Sequence, residues 1–369
     1  MNRKRNRLFV IGLDGGTWKV LKPLMEEGRI PHLKRLCERG ASGVLKSITP
    51  PLTAPVWASF QTGVNPGKHG VFDFIKYIPE DRKISFVNSR SLGMSTIWQL
   101  LADAGKKVIS INTPLTYPVS KVNGAMISGM LTPCISSEMI YPHDLYDEFI
   151  KHVPSYKILA PTIEAKTKTL KEFIDLLIDV ERQRFKAINI FREKDWDFFV
   201  AHIQSSDILQ HAYWHLLDRN SESFNEDSYK EICRFYTAID EEIGKVVNEF
   251  PPDCYTLIIS DHGFTRAKKK FHLNTWLMQK GYLSLNKNLV VAFLNFLKKV
   301  GLYNESKAFV KKIIFRIFNN LQMRGAKNLS KMLMNQISFN ESIFYSLGWT
   351  LYGNIHCDLV KEKKRAVAD

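Results

Sequence analysis

The sequence has few cysteines and no long apolar runs. These two features argue against a disulfide-stabilised protein and against a membrane-spanning one. The five cysteines of the 369-residue chain are odd in number and scattered, with no CxxC pair. This pattern argues against a disulfide framework or a cysteine zinc site and is typical of a reducing compartment. No stretch of about 20 apolar residues occurs, so no transmembrane helix is expected. The basic N-terminus leads into a short strand-like run without the features of a signal peptide, and we therefore expect a cytoplasmic protein.

Acidic residues are scarce in one segment, while the whole chain carries a net charge of +15 at pH 7. Between Lys287 and Lys331 there are ten basic residues and one acid, Glu305, so this segment alone has a charge of +9. Basic and apolar residues at helical spacing favour contact with an anionic membrane surface or a polyanionic substrate. The alternative is the solvated face of a helical cap. No specific nucleic-acid partner is predicted, and the oligomeric state is left open.

Apolar runs alternate with helical periodicity along most of the chain. The runs predict buried strands at Leu8–Asp14, Lys107–Asn112, Asp197–Ile203 and Cys254–Ser260, and the periodic segments 170–192 and 229–249 predict helices. Such alternation indicates a mostly parallel α/β sheet with helices on both faces. We therefore predict a catalytic α/β domain over 1–280, a helical insertion or cap over 281–340, and a return to the α/β domain over 341–369.

Polar residues follow three of the predicted strands. They are Asp14, then Asp207 with His211, and then Asp261 with His262. In open α/β sheets, ligands bind beyond the carboxyl ends of the strands, so three carboxylates and two imidazoles are expected at one edge. Such ligands suit Zn²⁺, Mn²⁺ or Fe²⁺, and five of them can serve two ions joined by a bridging oxygen. Each motif alone also fits a turn, a surface pair or a hydrogen-bonded pair, and their joint occurrence favours a metal site.

The segment Pro50–Gly63 supplies a candidate nucleophile, Thr53, which lies two residues before Pro55 at the start of a predicted helix. A helix N-terminus presents free N–H groups to an anion. A threonine hydroxyl is a weak nucleophile, and metal coordination is one way to activate it. The alternative is that Thr53 caps the helix.

These motifs together resemble the alkaline phosphatase superfamily, in its type I phosphodiesterase/nucleotide pyrophosphatase branch. The similarity extends from about Leu8 to Gly353 and is most specific in three places: Gly12–Gly16, Pro50–Phe74 with the motif Asn65–Gly70, and Ser260–Gly263. It implies an alkaline-phosphatase-like, doubly wound α/β fold. It also implies hydrolysis of a small phosphate ester, by preference a diester, through a covalent phospho-threonine at Thr53.

The same resemblance implies two divalent metal ions, Zn²⁺ first, with Mn²⁺ or Fe²⁺ as alternatives. One ion would be held by Asp14, Thr53, Asp261 and His262. The other would be held by Asp207, His211 and a later histidine.

Two departures from the family pattern limit what the resemblance implies. Val56 stands where nucleotide pyrophosphatases have asparagine, so nucleotide substrates do not follow. The late histidine is expected to lie beyond this chain, which looks truncated relative to the family, and His272 and His356 are weak replacements. A phosphotransferase or mutase of the same superfamily and a non-catalytic, anion-binding remnant therefore stay as alternative functions.

Overall fold

The computed structural model describes most of the first 267 residues and short pieces beyond them. The described residues are 6–78, 83–161, 168–267, 271, 276–277, 279–282, 344–346 and 355–357. The chain divides into two compact units, one comprising Met1–Phe74 with Val87–Ala267 and the other Ile75–Phe86 with Lys268–Asp369. Apart from 281–282, the predicted insertion at 281–340, and with it the basic segment, lies outside the described residues.

The strands and helices of the described residues follow in chain order. The strands are β1 (Arg7–Leu13), β2 (Ile75–Ile78), β3 (Lys83–Phe86), β4 (Val108–Thr113), β5 (Gly124–Ser128), β6 (Ile140–Tyr141), β7 (Phe198–Ile203), β8 (Cys254–Ile259), β9 (Phe344–Ser346) and β10 (Ile355–Cys357). The helices are α1 (Trp18–Glu26), α2 (Pro31–Arg39), α3 (Thr53–Thr62), α4 (Pro66–His69), α5 (Ile97–Asp103), α6 (Leu145–His152), α7 (Leu170–Arg192), α8 (Ser205–Leu217) and α9 (Glu226–Asn248). The four predicted strands and the predicted helix at 170–192 are confirmed, with strand ends shifted by at most one residue.

Six strands of the first unit form one sheet in the order β6-β5-β4-β7-β1-β8. Strand β1 lies between β7 and β8 and is parallel to both. Strand β4 is parallel to β7 and β5, whereas β6 runs antiparallel to β5. Because β1, β7 and β8 are parallel neighbours, the segments that follow them meet at one edge of the sheet.

Helices cover both faces of this sheet. In β1, Phe9 and Ile11 pack into a core shared with α7 and α9, whereas Val10 packs into a second core with Trp98 of α5. Successive side chains of a strand point to opposite faces, so both faces are buried. The predicted doubly wound α/β fold is confirmed.

The second unit contains two antiparallel pairs, β2 with β3 and β9 with β10. The pair β9–β10 falls within the stretch predicted to return to the α/β domain, and that return stays a prediction. None of the helices in the described part of the chain combines the length and the apolar character of a bilayer-spanning segment.

Candidate metal centre

The turn after β1 places a buried carboxylate between two others. Asp14 is fully buried, and Gly15 follows it with a φ of 66°, a conformation that favours glycine. The Gly15 N–H donates to Oδ1 of Asp261 at 3.1 Å, and a Cβ on Gly15 would lie 3.1 Å from Oδ1 of Asp207. The turn therefore needs glycine both for its backbone angle and for the close approach of its neighbours.

Helix α8 is fastened to this turn by two side chains. The Ser206 hydroxyl donates to the Asp14 carbonyl at 2.6 Å, and the Gln210 amide donates to the Gly15 carbonyl at 2.9 Å. Both residues are buried. Asp207, which lies between them on the first turn of α8, is thereby held close to Asp14.

The imidazole of His262 lies close to all three carboxylates and to the Thr53 hydroxyl. Its Nε2 lies 3.3 Å from Oδ2 of Asp261, 3.6 Å from Oδ1 of Asp14 and 4.0 Å from Oδ1 of Asp207. The hydroxyl oxygen of Thr53 lies 3.4 Å from the same nitrogen. The other ring nitrogen, Nδ1, lies 3.1 Å from the Gly263 carbonyl, which can only accept, so Nδ1 carries the proton. In the neutral ring, Nε2 is then the nitrogen that can bind a cation.

The residues gathered here fit a divalent cation. Three buried carboxylate oxygens, Oδ1 of Asp14, Oδ1 of Asp207 and Oδ2 of Asp261, have no hydrogen-bond partner within the described part of the chain. Burial, and then the charges of Asp261 and Asp207, raise the pKa of Asp14 well above its usual value, and burial raises the pKa of Asp207. Unpaired buried acceptors each cost about 1–3 kcal/mol, and a cation relieves both that cost and the repulsion between them. Ligand atoms of Asp14, Asp261 and His262 lie within 4.8 Å of one another, close enough to share one ion.

Thr53 is the first residue of α3, and its side chain is directed at this cluster. Leu52 occupies the N-cap position, without a side-chain cap hydrogen bond. The hydroxyl of Thr53 is thus not the helix cap that the alternative interpretation required. Thr53 is only 6% exposed, and the N–H groups of the first helical turn have no partners within the helix.

The Asp207–His211 pair is more open than the rest of the cluster. Nε2 of His211 lies 3.4 Å from Oδ1 of Asp207, but the His211 side chain is 57% exposed. The ring packs edge-on against Phe264 at 4.9 Å between centroids, and Phe264 packs in turn against Trp214. The structure therefore brings all six predicted site residues together: four are buried, His262 is partly buried beside them, and His211 lies at the rim.

Sequence reasoning missed one residue, His202. It lies in β7, is 1% exposed, and its Nε2 is 3.1 Å from Oδ2 of Asp14. Burial, and then the charge of Arg184, lower its pKa well below the usual value. The available signal was a single histidine in an otherwise apolar strand, which is equally typical of a core histidine.

A cavity of about 340 Å³ lies elsewhere in the first unit, and none of the six candidate residues lines it. Several of its polar groups are already paired: Gln61 donates to the Pro114 carbonyl, and the hydroxyl of Ser89 donates to the Pro118 carbonyl. The cluster, by contrast, holds several unpaired carboxylate oxygens close together, and it is therefore the better candidate for chemistry.

Comparison with the solved structures of one bacterial enzyme agrees with the fold. Phosphonoacetate hydrolase from Sinorhizobium meliloti 1021, in complexes with phosphonoformate and with phosphonoacetate, is similar with a TM-score of 0.50 and 18% identity, over 76% of this chain and 64% of that one. Murine ectonucleotide pyrophosphatase/phosphodiesterase 5 is similar with a TM-score of 0.44 and 14% identity, over 77% of this chain and 64% of that one. The chain thus spans less than two thirds of the length of these proteins.

A family model extends the comparison to sequence. No curated protein matches the chain by sequence. The model of type I phosphodiesterase/nucleotide pyrophosphatase, however, matches residues 8–356. This confirms the resemblance expected from the motifs: the chain belongs to the type I phosphodiesterase/nucleotide pyrophosphatase family.

Proposed function

We propose that the chain is a metal-dependent hydrolase of phosphate esters with Thr53 as its nucleophile. The observation that carries the proposal is the group of three buried aspartates with unpaired carboxylate oxygens, beside His262, whose Nε2 lies 3.4 Å from the Thr53 hydroxyl oxygen. Family membership supplies the reaction class. The proposed ligands are Asp14, Asp261 and His262 with the Thr53 oxygen for one ion, and Asp207 with His211 for a second.

Thr53 performs the covalent step. Its oxygen forms a bond to phosphorus while the bond from phosphorus to the leaving oxygen breaks, the Thr53 proton passes to solvent, and the leaving group takes a proton from water. Water then attacks phosphorus, breaks the bond to Thr53 and releases phosphate or a phosphate monoester. Divalent cations, when bound, polarise phosphoryl oxygens and lower the pKa of a coordinated hydroxyl or water.

The donor set and the surroundings of Thr53 indicate the metal and the substrate class. Carboxylate oxygens with neutral imidazole nitrogens suit Zn²⁺, with Mn²⁺ or Fe²⁺ as alternatives. No arginine lies within several residues of Thr53 in sequence to clamp an extra phosphate charge, which favours a diester over a monoester. The phosphonate ligands of the similar bacterial hydrolase support a small, phosphorus-containing anion as substrate.

The test compares Thr53→Ala and Thr53→Ser with the control Thr62→Ala. Thr62 lies at the other end of α3, and its hydroxyl donates to the Ala58 carbonyl. Hydrolysis of bis-aryl and mono-aryl phosphates is measured with saturating Zn²⁺ or Mn²⁺, and acid-quenched enzyme is examined by mass spectrometry. We expect loss of activity in Thr53→Ala, residual activity with phosphoserine in Thr53→Ser, and normal activity in Thr62→Ala. Wild-type turnover by Thr53→Ala would refute the nucleophile, and a monoester preference would refute the diester assignment.

We also propose that the basic segment 287–331 contacts an anionic lipid surface and that the protein is cytoplasmic. The support for both is the sequence alone, since the segment lies outside the described residues. Co-sedimentation with vesicles that contain or lack anionic lipid, across a salt series, tests the contact. Absence of binding at low salt would leave the helical-cap interpretation.

A further inference from the structure

His202 lies behind the metal cluster, on the side of Asp14 that faces the sheet. It pairs with Gly12 in the register between β1 and β7, so its ring reaches the end of β1 from the neighbouring strand. Its Nε2 is 3.1 Å from Oδ2 of Asp14. Neither atom has a hydrogen-bond partner among the described residues. Two buried polar atoms at this distance, each otherwise unsatisfied, stabilise the fold most when they share a proton.

The two oxygens of Asp14 face different groups. Oδ2 faces His202, whereas Oδ1 lies 3.6 Å from Nε2 of His262 and faces the candidate metal ligands. A donor on Oδ2 would set the plane of the carboxylate and leave Oδ1 for a cation. In the present arrangement Nε2 and Oδ2 lie within hydrogen-bond distance but do not form a hydrogen bond.

Trp57 packs against the His202 ring. The two rings meet edge to face, with centroids 4.8 Å apart and planes at 82°. Trp57 can lie there because Gly12 has no side chain: a Cβ on Gly12 would lie 2.2 Å from the indole ring. Trp57 is also one helical turn after Thr53 in α3. One indole thus connects the helix of the proposed nucleophile to the imidazole behind Asp14.

We propose that His202 is a positioning residue of the metal centre: its Nε2–H donates to Oδ2 of Asp14 and directs Oδ1 at the cation. The inference rests on the proposed metal site and adds a residue to it. Hydrogen bonds to ligating carboxylates orient them and tune their basicity, and their loss typically weakens metal binding by about 10–100-fold.

The test measures metal affinity rather than turnover. Competition with a chromophoric chelator gives the Zn²⁺ or Co²⁺ affinity of the full chain and of His202→Leu, His202→Gln and His202→Asn. Leucine has no donor, the glutamine amide nitrogen can take the place of Nε2, and the asparagine amide is too short to reach Asp14. We expect about 10–100-fold weaker binding in His202→Leu and His202→Asn, and affinity close to wild type in His202→Gln.

His69→Leu is the matched control, because His69 is equally buried and lies against Ser59. It is expected to lower stability without changing metal affinity. Circular dichroism checks that each variant folds. If His202→Leu does not fold, the comparison of His202→Gln with His202→Asn still tests the inference. Equal affinities in these two polar variants would overturn the inference. A wild-type chain that binds no metal would instead contradict the proposed function.

Discussion

At the scale of single residues, two glycines of the Gly-Leu-Asp-Gly-Gly motif, Gly12 and Gly15, lie where other chain segments come close. Gly12 makes room for Trp57, and Gly15 lies against Asp207. Trp57 and Asp207 belong to helices that lie far from the motif in sequence. The glycines of the motif are therefore needed for close packing around Asp14 as well as for the turn.

Gly12→Ala is predicted to be strongly destabilising, because the new Cβ would overlap the Trp57 ring at 2.2 Å. Overpacking of this kind costs about 1–3 kcal/mol, and more where the neighbour cannot move. Urea unfolding of Gly12→Ala and of Gly43→Ala measures it, since a Cβ on Gly43 meets nothing within 4 Å. Equal unfolding midpoints in the two variants would contradict the packing argument.

At the scale of elements, a buried ion pair in α7 supports the start of α8. Glu181 and Arg184 pair with each other, and both side chains are fully buried. Glu181 accepts from the N–H of Ser205 at 2.9 Å and also from its hydroxyl. Arg184 donates to the Ile158 carbonyl at 3.0 Å. The pair thereby fixes the residue two positions before Asp207.

Arg184→Met is predicted to destabilise the fold by about 3–5 kcal/mol, because it leaves the charge of Glu181 buried without its partner. The double variant Arg184→Met/Glu181→Leu should recover part of this loss, since no uncompensated charge remains. Chemical unfolding of the two variants gives the comparison. A double variant that is less stable than Arg184→Met would contradict the prediction.

His69 connects α3 to α4 and makes stability depend on pH. Its Nδ1 accepts from the Val71 N–H at 3.1 Å, which only the neutral ring can do, and its Nε2 lies 2.9 Å from the Ser59 hydroxyl. Burial lowers the pKa of His69 from its usual value of 6.5. The unfolded chain therefore binds this proton more readily, so the contribution is complete above about pH 6.5 and declines as the pH falls toward the lowered pKa.

We predict that His69→Gln flattens this acidic decline in the free energy of unfolding. Urea unfolding at several values from about pH 5 to 8 measures it, with His152→Gln on the exposed surface of α6 as the control. An unchanged slope in His69→Gln would show that the ring is not responsible.

At the scale of the whole molecule, the two proposed metal positions are unequal. Asp14, Asp261, His262 and the Thr53 oxygen form a compact, mostly buried set. The other position has Asp207 and the exposed His211. A catalytic ion is generally held firmly by three protein ligands. We therefore expect the 369-residue chain to retain one metal equivalent after dialysis and to bind a second one weakly.

Metal analysis per chain, before and after dialysis, tests this asymmetry. His211→Ala should abolish the weak equivalent and leave the tight one, whereas Asp261→Asn should abolish the tight one. Two tightly held equivalents would contradict the expectation. Alanine substitution of His272 and of His356 would then show whether either one completes the second position.

The local sequence pattern alone determined where several strands and one long helix of this protein lie. The positions of β1, β4, β7, β8 and α7 follow from runs of apolar residues and from helical periodicity, which depend on burial and not on what covers each face. The order of parallel strands then predicts that Asp14, Asp207 and Asp261 share one edge, because each follows its own strand. The α/β class was accessible for the same reason, whereas the family was accessible from the resemblance of the motifs at Gly12–Gly16, Pro50–Phe74 and Ser260–Gly263.

Only the tertiary structure decided how those side chains are held. Gly15 and Asp261 are 246 residues apart, and Ser206 and Asp14 are 192 apart. No sequence pattern encodes such pairs, because they depend on which strands become neighbours. His202 is the clearest case: in sequence it is one histidine in an apolar strand, and only the pairing of β1 with β7 places it at Asp14. The local sequence is enough to predict which side chains lie at the sheet edge. The contacts that hold those side chains in place form only when distant segments of the chain pack together.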